Sequence, residues 1–123
     1  GRAMRLRVSG AFHSPLMQGA ADHLADALAQ EELKEPMYPL YSNVTARPYS
    51  AAEARELLAR QVVTPVRWEE TVRAMADAGV DRFLELGPGN VLCGLIGRIV
   101  PDARCARADT PEALQEAVTS LGA

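Results

Sequence analysis

His13 is the side chain in this sequence best suited to acid–base chemistry. It follows Phe12 at the junction between a predicted strand, residues 5–9, and a predicted helix that starts at Pro15. Imidazole titrates near neutral pH and can act as a general base, and open α/β folds build their sites at the carboxyl ends of strands. Because a lone histidine is more often structural, the position by itself leaves a catalytic and a structural role open.

A general base needs a group to deprotonate, and the sequence offers no nucleophile beside His13. It has no Gly-x-Ser-x-Gly motif, the strained turn that exposes a nucleophilic serine. Ser14 and Ser50 are explained as N-caps of predicted helices. Cys93 and Cys105 lie in apolar stretches, which predicts reduced, unreactive thiols. The cysteines and histidines match no metal-ligand spacing, so neither a metal site nor a cofactor is expected.

A glycine-rich turn, Gly87-Pro88-Gly89, follows the predicted strand at residues 80–86 and opens a helix. Phosphates bind at such helix N-termini. However, Leu92 stands where the third glycine of a dinucleotide motif belongs, and no Lys-Ser/Thr pair of a P-loop follows. A tight structural turn is therefore the favoured interpretation, and a small nucleotide-binding domain is a weaker alternative.

Strand-like and helical segments alternate along the chain. This pattern predicts an α/β fold with a short parallel sheet flanked by helices. The first helix is expected to bury a stripe that includes Leu16 and Ala20 and to expose His23. The strand at residues 5–9 has nothing before it to pair with, which suggests part of a larger fold; a small complete α/β domain is the alternative. The remaining predicted strands are residues 40–44, 80–86 and 105–108, and the predicted helices start near residues 15, 51, 68, 91 and 111.

Composition narrows the class of protein. The chain has 123 residues, 48% of them hydrophobic and 24% charged, with a net charge of −3. These values exclude a disordered chain, and no apolar run approaches the roughly 20 residues of a membrane span. A net negative charge argues against a nucleic-acid partner. With reduced cysteines, we expect a single-domain, cytoplasmic protein.

Four motifs carry a family resemblance. Residues 8–17 read Val-Ser-Gly-Ala-Phe-His-Ser-Pro-Leu-Met and residues 42–45 read Ser-Asn-Val-Thr. Residues 61–68 read Gln-Val-Val-Thr-Pro-Val-Arg-Trp, and residues 85–92 read Glu-Leu-Gly-Pro-Gly-Asn-Val-Leu. In this order they closely resemble the malonyl-CoA:acyl carrier protein transacylases and the related acyltransferase domains of polyketide and fatty acid synthases.

The resemblance implies a fold and a domain organisation. The chain would be the C-terminal part of an α/β-hydrolase-like acyltransferase fold. Residues 1–9 would end its small ferredoxin-like subdomain, and residues 10–123 would form part of the large α/β subdomain. The family's nucleophilic serine lies in a Gly-His-Ser-x-Gly segment that these 123 residues do not contain. The isolated chain is therefore expected to have no transacylase activity.

The resemblance also implies roles for single residues. His13 resembles the catalytic histidine, which takes the serine proton and then protonates the leaving thiolate. Gln61 resembles the glutamine whose main-chain carbonyl accepts a hydrogen bond from that histidine, so its side chain could change with little direct effect on the base. Ala11 and Phe12 resemble the Ala-Phe-His pattern of members that select malonyl, in which a bulky ring leaves no room for an α-methyl group.

The family reaction moves malonyl from coenzyme A to the phosphopantetheine thiol of acyl carrier protein through an acyl-serine. The implied partners are malonyl-CoA, acyl carrier protein and the N-terminal part of the same enzyme, with no nucleic acid and no membrane. Two alternatives stay open. The chain could be a non-catalytic α/β fragment or interaction module, or the acyltransferase segment of a polyketide synthase.

Overall fold

A computed structural model describes residues 10–122. The predicted strand at residues 5–9, with its assignment to a ferredoxin-like subdomain, lies outside this range. The chain divides into two compact units, Gly1–Trp68 and Glu69–Ala123. Within residues 10–122, no helix has both the length and the apolar character required to cross a membrane.

The first unit is built around two packed helices. A 3₁₀ helix, Pro15–Met17, leads into helix α1, Gln18–Ala29, and helix α2, Ala51–Arg60, packs against α1. Arg55 of α2 joins them, because its guanidinium donates hydrogen bonds to the carbonyl oxygens of Leu28 and Glu31 at the end of α1. The Leu28 carbonyl also accepts from the Glu31 N–H at 3.2 Å, so Arg55 adds to the hydrogen bonding at this helix end.

The burial predicted for the first helix was wrong at its start. Leu16 is 84% exposed, Ala20 is exposed, and the buried residue of α1 is Ala21. The chain enters the helix through a 3₁₀ turn with three residues per turn, which shifts the phase of the following helix. Ser14 also differs from its predicted role as a capping acceptor, since its hydroxyl donates to the Ala11 carbonyl at 2.7 Å. His23 is exposed, as predicted.

The start of α2 matches its sequence signal. The Glu53 carboxylate accepts hydrogen bonds from the Ser50 backbone N–H at 3.0 Å and from the Ser50 hydroxyl at 2.9 Å. These two contacts, the backbone one first, hold the pKa of Glu53 below its ordinary value, and the charge of Arg47 adds to the effect. The helix therefore begins where the Ser-x-x-Glu pattern places it.

Residues 40–44 do not form the predicted strand. An isolated antiparallel bridge joins Tyr41 to Pro48, and the chain between them turns back on itself. The Ser42 carbonyl accepts from the Ala46 N–H at 2.8 Å, and the Ser42 hydroxyl accepts from the Val44 N–H at 3.1 Å. Local bonds of this kind satisfy the backbone groups that a strand would pair with a neighbour.

The second unit contains a parallel sheet with helices against it. Strands β1, Arg82–Leu86, and β2, Arg104–Ala108, are paired in parallel from Arg82 opposite Arg104 to Leu86 opposite Ala108. Helix α4, Val91–Ile99, connects them and contacts both strands, while helix α5, Pro111–Leu121, packs on β2. Helix α3, Trp68–Asp77, precedes β1. This confirms the predicted α/β class, although the described residues contain two of the three strands predicted among them.

The two cysteines are paired, so the prediction of reduced thiols was wrong. Cys93 of α4 and Cys105 of β2 form a disulfide, with their Cα atoms 5.5 Å apart. The packing of α4 on β2 brings the two backbones to a separation that disulfides commonly span. The cysteines therefore no longer support the expectation of a cytoplasmic protein, because disulfides are rare in that compartment.

Candidate active site

His13 is held at the C-terminal end of α2 by two hydrogen bonds. Its backbone N–H donates to the Val62 carbonyl at 3.0 Å, and its Nδ1 lies 2.8 Å from the carbonyl oxygen of Gln61. A carbonyl oxygen can only accept, so Nδ1 carries a proton, and in the neutral imidazole Nε2 is left as the acceptor. The side chain is exposed. The arrangement therefore presents a basic ring nitrogen that solvent, or a group from another segment, can reach.

The helix end explains why carbonyl groups are available there. The last carbonyls of an α-helix lack intrahelical partners. Those of Ala59 and Arg60 accept from the backbone N–H groups of Val62 and Val63, and the Thr64 hydroxyl also donates to Arg60. The next two carbonyls along the chain are the ones that His13 takes. His13 thus completes the hydrogen bonding of this helix terminus.

The backbone of His13 is strained. Its φ is +60°, in the left-handed region that side-chain-bearing residues seldom adopt. Such a conformation costs on the order of 1–3 kcal/mol and persists where surrounding contacts impose it. The two bonds to the end of α2 are such contacts.

Ala11 and Phe12 lie beside His13 in the same tight turn, and both are exposed. The Phe12 ring is 60% exposed and lies back over Gly10, where an added Cβ would come within 3.1 Å of ring atom Cε2. Gly10 therefore leaves the space that the ring occupies. The structure thus keeps both predicted substrate-binding residues at the surface, in the turn that carries His13.

Gln61 has a second partner, which the sequence did not reveal. Its side-chain oxygen Oε1 accepts from Nδ2 of Asn43 at 3.0 Å. The Asn43 carbonyl in turn accepts from the Arg67 backbone N–H at 3.1 Å. The Ser-Asn-Val-Thr motif and the segment 61–68 are therefore joined to each other. The motif marked Asn43 as notable, but nothing in its local pattern pointed to Gln61.

The turn at Gly87-Pro88-Gly89 is structural. Gly87 and Gly89 have φ values of +114° and +108°, which glycine adopts without steric cost. The buried carboxylate of Glu85 accepts from the N–H groups of Cys93 at 2.9 Å and Leu92 at 3.1 Å. These two bonds, that to Cys93 first, hold the pKa of Glu85 below its ordinary value, and Arg107 adds a smaller electrostatic effect.

The Glu85 carboxylate therefore occupies the helix N-terminus that a phosphate would need. This geometry argues against the nucleotide-binding alternative. Across residues 10–122, no group of three or more His, Cys, Asp and Glu side chains is close enough to hold a metal ion.

Two curated proteins are similar in sequence to most of this chain. No family model matches the chain. It is 37% identical over 121 residues to the malonyl CoA-acyl carrier protein transacylase of Bacillus subtilis, covering 98% of this chain and 38% of that protein. It is 43% identical over 96 residues to the polyketide biosynthesis protein ThaF of Burkholderia thailandensis, covering 78% of this chain and 8% of ThaF.

Solved structures of transacylases are similar to the chain in fold as well as in sequence. The malonyl CoA-acyl carrier protein transacylase of Coxiella burnetii matches with a TM-score of 0.88 and 38% identity, over 97% of this chain and 38% of that one. A malonyl-transacylase solved in complex with a type II polyketide acyl-carrier protein matches with a TM-score of 0.86 and 40% identity, over 94% of this chain and 38% of that one.

In fold and in sequence, the chain is similar to the C-terminal part of α/β acyltransferases. More particularly, its sequence is similar to that of the malonyl CoA-acyl carrier protein transacylases, as its motifs indicated. It spans about 38% of the length of the transacylases that it matches.

Proposed function

We propose that this chain is the segment of a malonyl CoA-acyl carrier protein transacylase that supplies the general base. One observation carries the proposal: the hydrogen bond of 2.8 Å from Nδ1 of His13 to the Gln61 carbonyl leaves Nε2 of an exposed imidazole free to accept a proton. The nucleophilic serine would come from the N-terminal part that the relatives have and these 123 residues do not span.

In the first half-reaction, Nε2 of His13 takes the hydroxyl proton as the serine oxygen attacks the malonyl thioester carbon. The C–S bond then breaks, and the imidazolium passes its proton to the departing coenzyme A sulfur. In the second half-reaction, the phosphopantetheine thiol of acyl carrier protein gives its proton to Nε2 and attacks the acyl-serine. The imidazolium returns the proton to the serine oxygen, so protons balance over the cycle.

The Gln61 carbonyl serves this cycle by orientation. A main-chain oxygen at Nδ1 selects the tautomer whose Nε2 lone pair faces outward, the task that a carboxylate performs in a Ser-His-Asp triad. It also keeps the ring in place while the proton moves on and off Nε2. Both catalytic assignments, His13 and Gln61, thus rest on the same bond.

Selection for malonyl is assigned to Phe12, with Ala11 lining the same turn. The Phe12 side chain, in the turn that carries His13, would take up space that an α-methyl group on the acyl chain needs. A steric filter against one extra methyl group commonly supplies about 10- to 200-fold discrimination.

The proposed partners follow from this chemistry: malonyl-CoA, acyl carrier protein and the N-terminal part of the fold. The solved complex between a related malonyl-transacylase and an acyl-carrier protein supports the second of these. Fatty acid biosynthesis in the cytoplasm is the setting that we propose. A cytoplasmic location requires that the fold tolerate reduction of the Cys93–Cys105 disulfide, because cytosolic thiols are kept reduced.

A polyketide setting is the second candidate, favoured by the 43% identity to ThaF. The chemistry at His13 would be the same, and only the carrier protein would differ. Transfer rates to a fatty acid carrier and to a polyketide carrier, measured side by side, distinguish the two settings.

The test is a chimaera in which this chain replaces the matching segment of the Bacillus subtilis transacylase. We expect malonyl transfer from coenzyme A to acyl carrier protein, and a loss of about 10²- to 10⁴-fold in turnover on His13→Ala. His23→Ala, an exposed histidine of the same unit, is the matched control. A folded chimaera that transfers no malonyl would favour the non-catalytic alternative, and a loss below tenfold on His13→Ala would remove the assigned role.

A further inference from the structure

We infer that Asn43 is a positioning residue for the base, acting on His13 through Gln61. This inference rests on the proposed function, because it concerns how the proposed base is held. Neither the motif resemblance nor the names of the relatives assign a role to Asn43.

The inference begins with a continuous path of hydrogen bonds. Nδ2 of Asn43 donates to Oε1 of Gln61 at 3.0 Å, and the Gln61 carbonyl accepts from Nδ1 of His13 at 2.8 Å. Asn43 and Gln61 are both half-buried, so solvent competes less for their bond than it would at an exposed site. The side chain and the carbonyl of Gln61 therefore hold two different segments at once.

Asn43 is itself fixed in place. The Arg67 N–H donates to its carbonyl at 3.1 Å. The turn that contains it is closed by the bond from Ala46 N–H to Ser42 O, and the buried Ala46 adopts a left-handed φ of +54°. Because these bonds fix the backbone at Asn43, its side chain can hold the Gln61 side chain in place.

Gln61 needs such an anchor because of where it lies. It follows the last residue of α2, and its N–H still bonds back to Leu57 at 3.0 Å. Its carbonyl lies beyond the last residue of α2, in the peptide group whose Val62 N–H donates to the Ala59 carbonyl at 3.2 Å, and helix ends fray. The side-chain bond to Asn43 adds a restraint on the position of Gln61 to those of the backbone N–H groups, and so helps to keep the carbonyl directed at His13.

Asn43 and Gln61 line a small cavity. This cavity, lined in part by Tyr41, Tyr49 and Leu57 as well, has a volume of about 20 Å³. This is room for about one water molecule. Truncation of Asn43 should thus weaken the anchoring of Gln61 without collapsing the site.

The test reads the tautomer of His13 directly. The chain has only two histidines, so imidazole ¹⁵N spectra contain two sets of signals, with the exposed His23 as internal reference. Spectra are recorded at about pH 8.5, where an ordinary imidazole is neutral. The variants are Asn43→Ala, Gln61→Met, and both together; Gln61→Met removes the side-chain oxygen but keeps the carbonyl and leaves the Asn43 turn intact.

We expect the wild-type His13 to be predominantly the Nδ1–H tautomer, and both single variants to shift it toward Nε2–H. In the chimaera, each single variant should lower turnover by about two- to tenfold, the effect of one net hydrogen bond, with a smaller change in KM. The double variant should be no worse than either single one, because both remove the same contact. Asn90→Ala, the other asparagine of the chain, is the control and should leave both measurements unchanged.

The inference fails if both single variants leave the tautomer ratio at its wild-type value, or if their effects on turnover multiply in the double variant. If Asn43→Ala does not fold, Gln61→Met alone decides the matter. A folded chimaera without malonyl transfer would overturn the proposed function, and the spectra would still decide whether Asn43 positions His13.

Discussion

The ring of His13 and the main chain of Gln61 are joined by a hydrogen bond of 2.8 Å, although the two residues are 48 positions apart in the sequence. The imidazole ring is thereby hydrogen-bonded to a peptide group at the end of α2. The bond fixes which ring nitrogen holds the proton. It is the contact from which the proposed chemistry and the proposed role of Asn43 both follow.

Phe12→Ala is expected to broaden acyl selection. Removal of the ring opens space in the turn that carries His13, so the preference for malonyl over methylmalonyl should fall by about 10- to 200-fold at most. The measurement is kcat/KM for both acyl-CoA substrates in the chimaera. Tyr38→Ala, which removes another exposed ring of the same unit, is the control. An unchanged ratio would mean that Phe12 does not shape the acyl pocket.

Glu85→Gln is expected to destabilise the fold in a pH-dependent manner. The folded-state pKa of Glu85 lies below its ordinary value, since the carboxylate accepts from the Cys93 and Leu92 amides. Its contribution to stability is therefore complete above the unfolded-state pKa, about 4.3, and is lost as the pH falls through the lower folded-state value. Urea unfolding of wild type and variant between neutral pH and about pH 3 checks this. A stability difference that stays constant over the range would contradict it.

Reduction of the Cys93–Cys105 disulfide is expected to lower the free energy of unfolding. The bond closes a short loop with a sequence separation of 12, for which about 2–3 kcal/mol is typical. Thermal unfolding with and without dithiothreitol measures the loss, and the double variant Cys93→Ser/Cys105→Ser should not respond to dithiothreitol. Two free thiols in denatured, unreduced protein would show that the pair is not bonded.

Leu57→Ala and Leu16→Ala are expected to differ sharply in their effect on stability. Leu57 is 6% exposed in α2, so its truncation should cost about 2–5 kcal/mol through lost burial and a cavity. Leu16 is 84% exposed, so truncation should change the stability of this chain by less than about 0.5 kcal/mol. Denaturant unfolding of the 123-residue chain measures both. A large loss on Leu16→Ala would restore the buried stripe that the sequence predicted.

The sequence by itself determined the features that depend on neighbouring residues. Thr110 and Pro111 predict the start of α5, where the Thr110 hydroxyl accepts from the Ala113 N–H at 3.1 Å. Gly122 ends that helix with a φ of +74°. Caps, turns and apolar periods are encoded over a few positions, so they could be predicted from the chain alone. The four motifs also identified the family, because their order along the chain is specific.

Only the tertiary structure decided the contacts between distant segments. It paired Cys93 with Cys105, placed Asn43 on Gln61, and imposed a left-handed backbone on His13. Each depends on where packed elements bring two backbones, which no local pattern encodes. The phase of α1 and the turn at residues 42–46 escaped prediction for a related reason. There, local hydrogen bonds and a 3₁₀ entry outweighed the hydrophobic period from which a helix or strand is inferred.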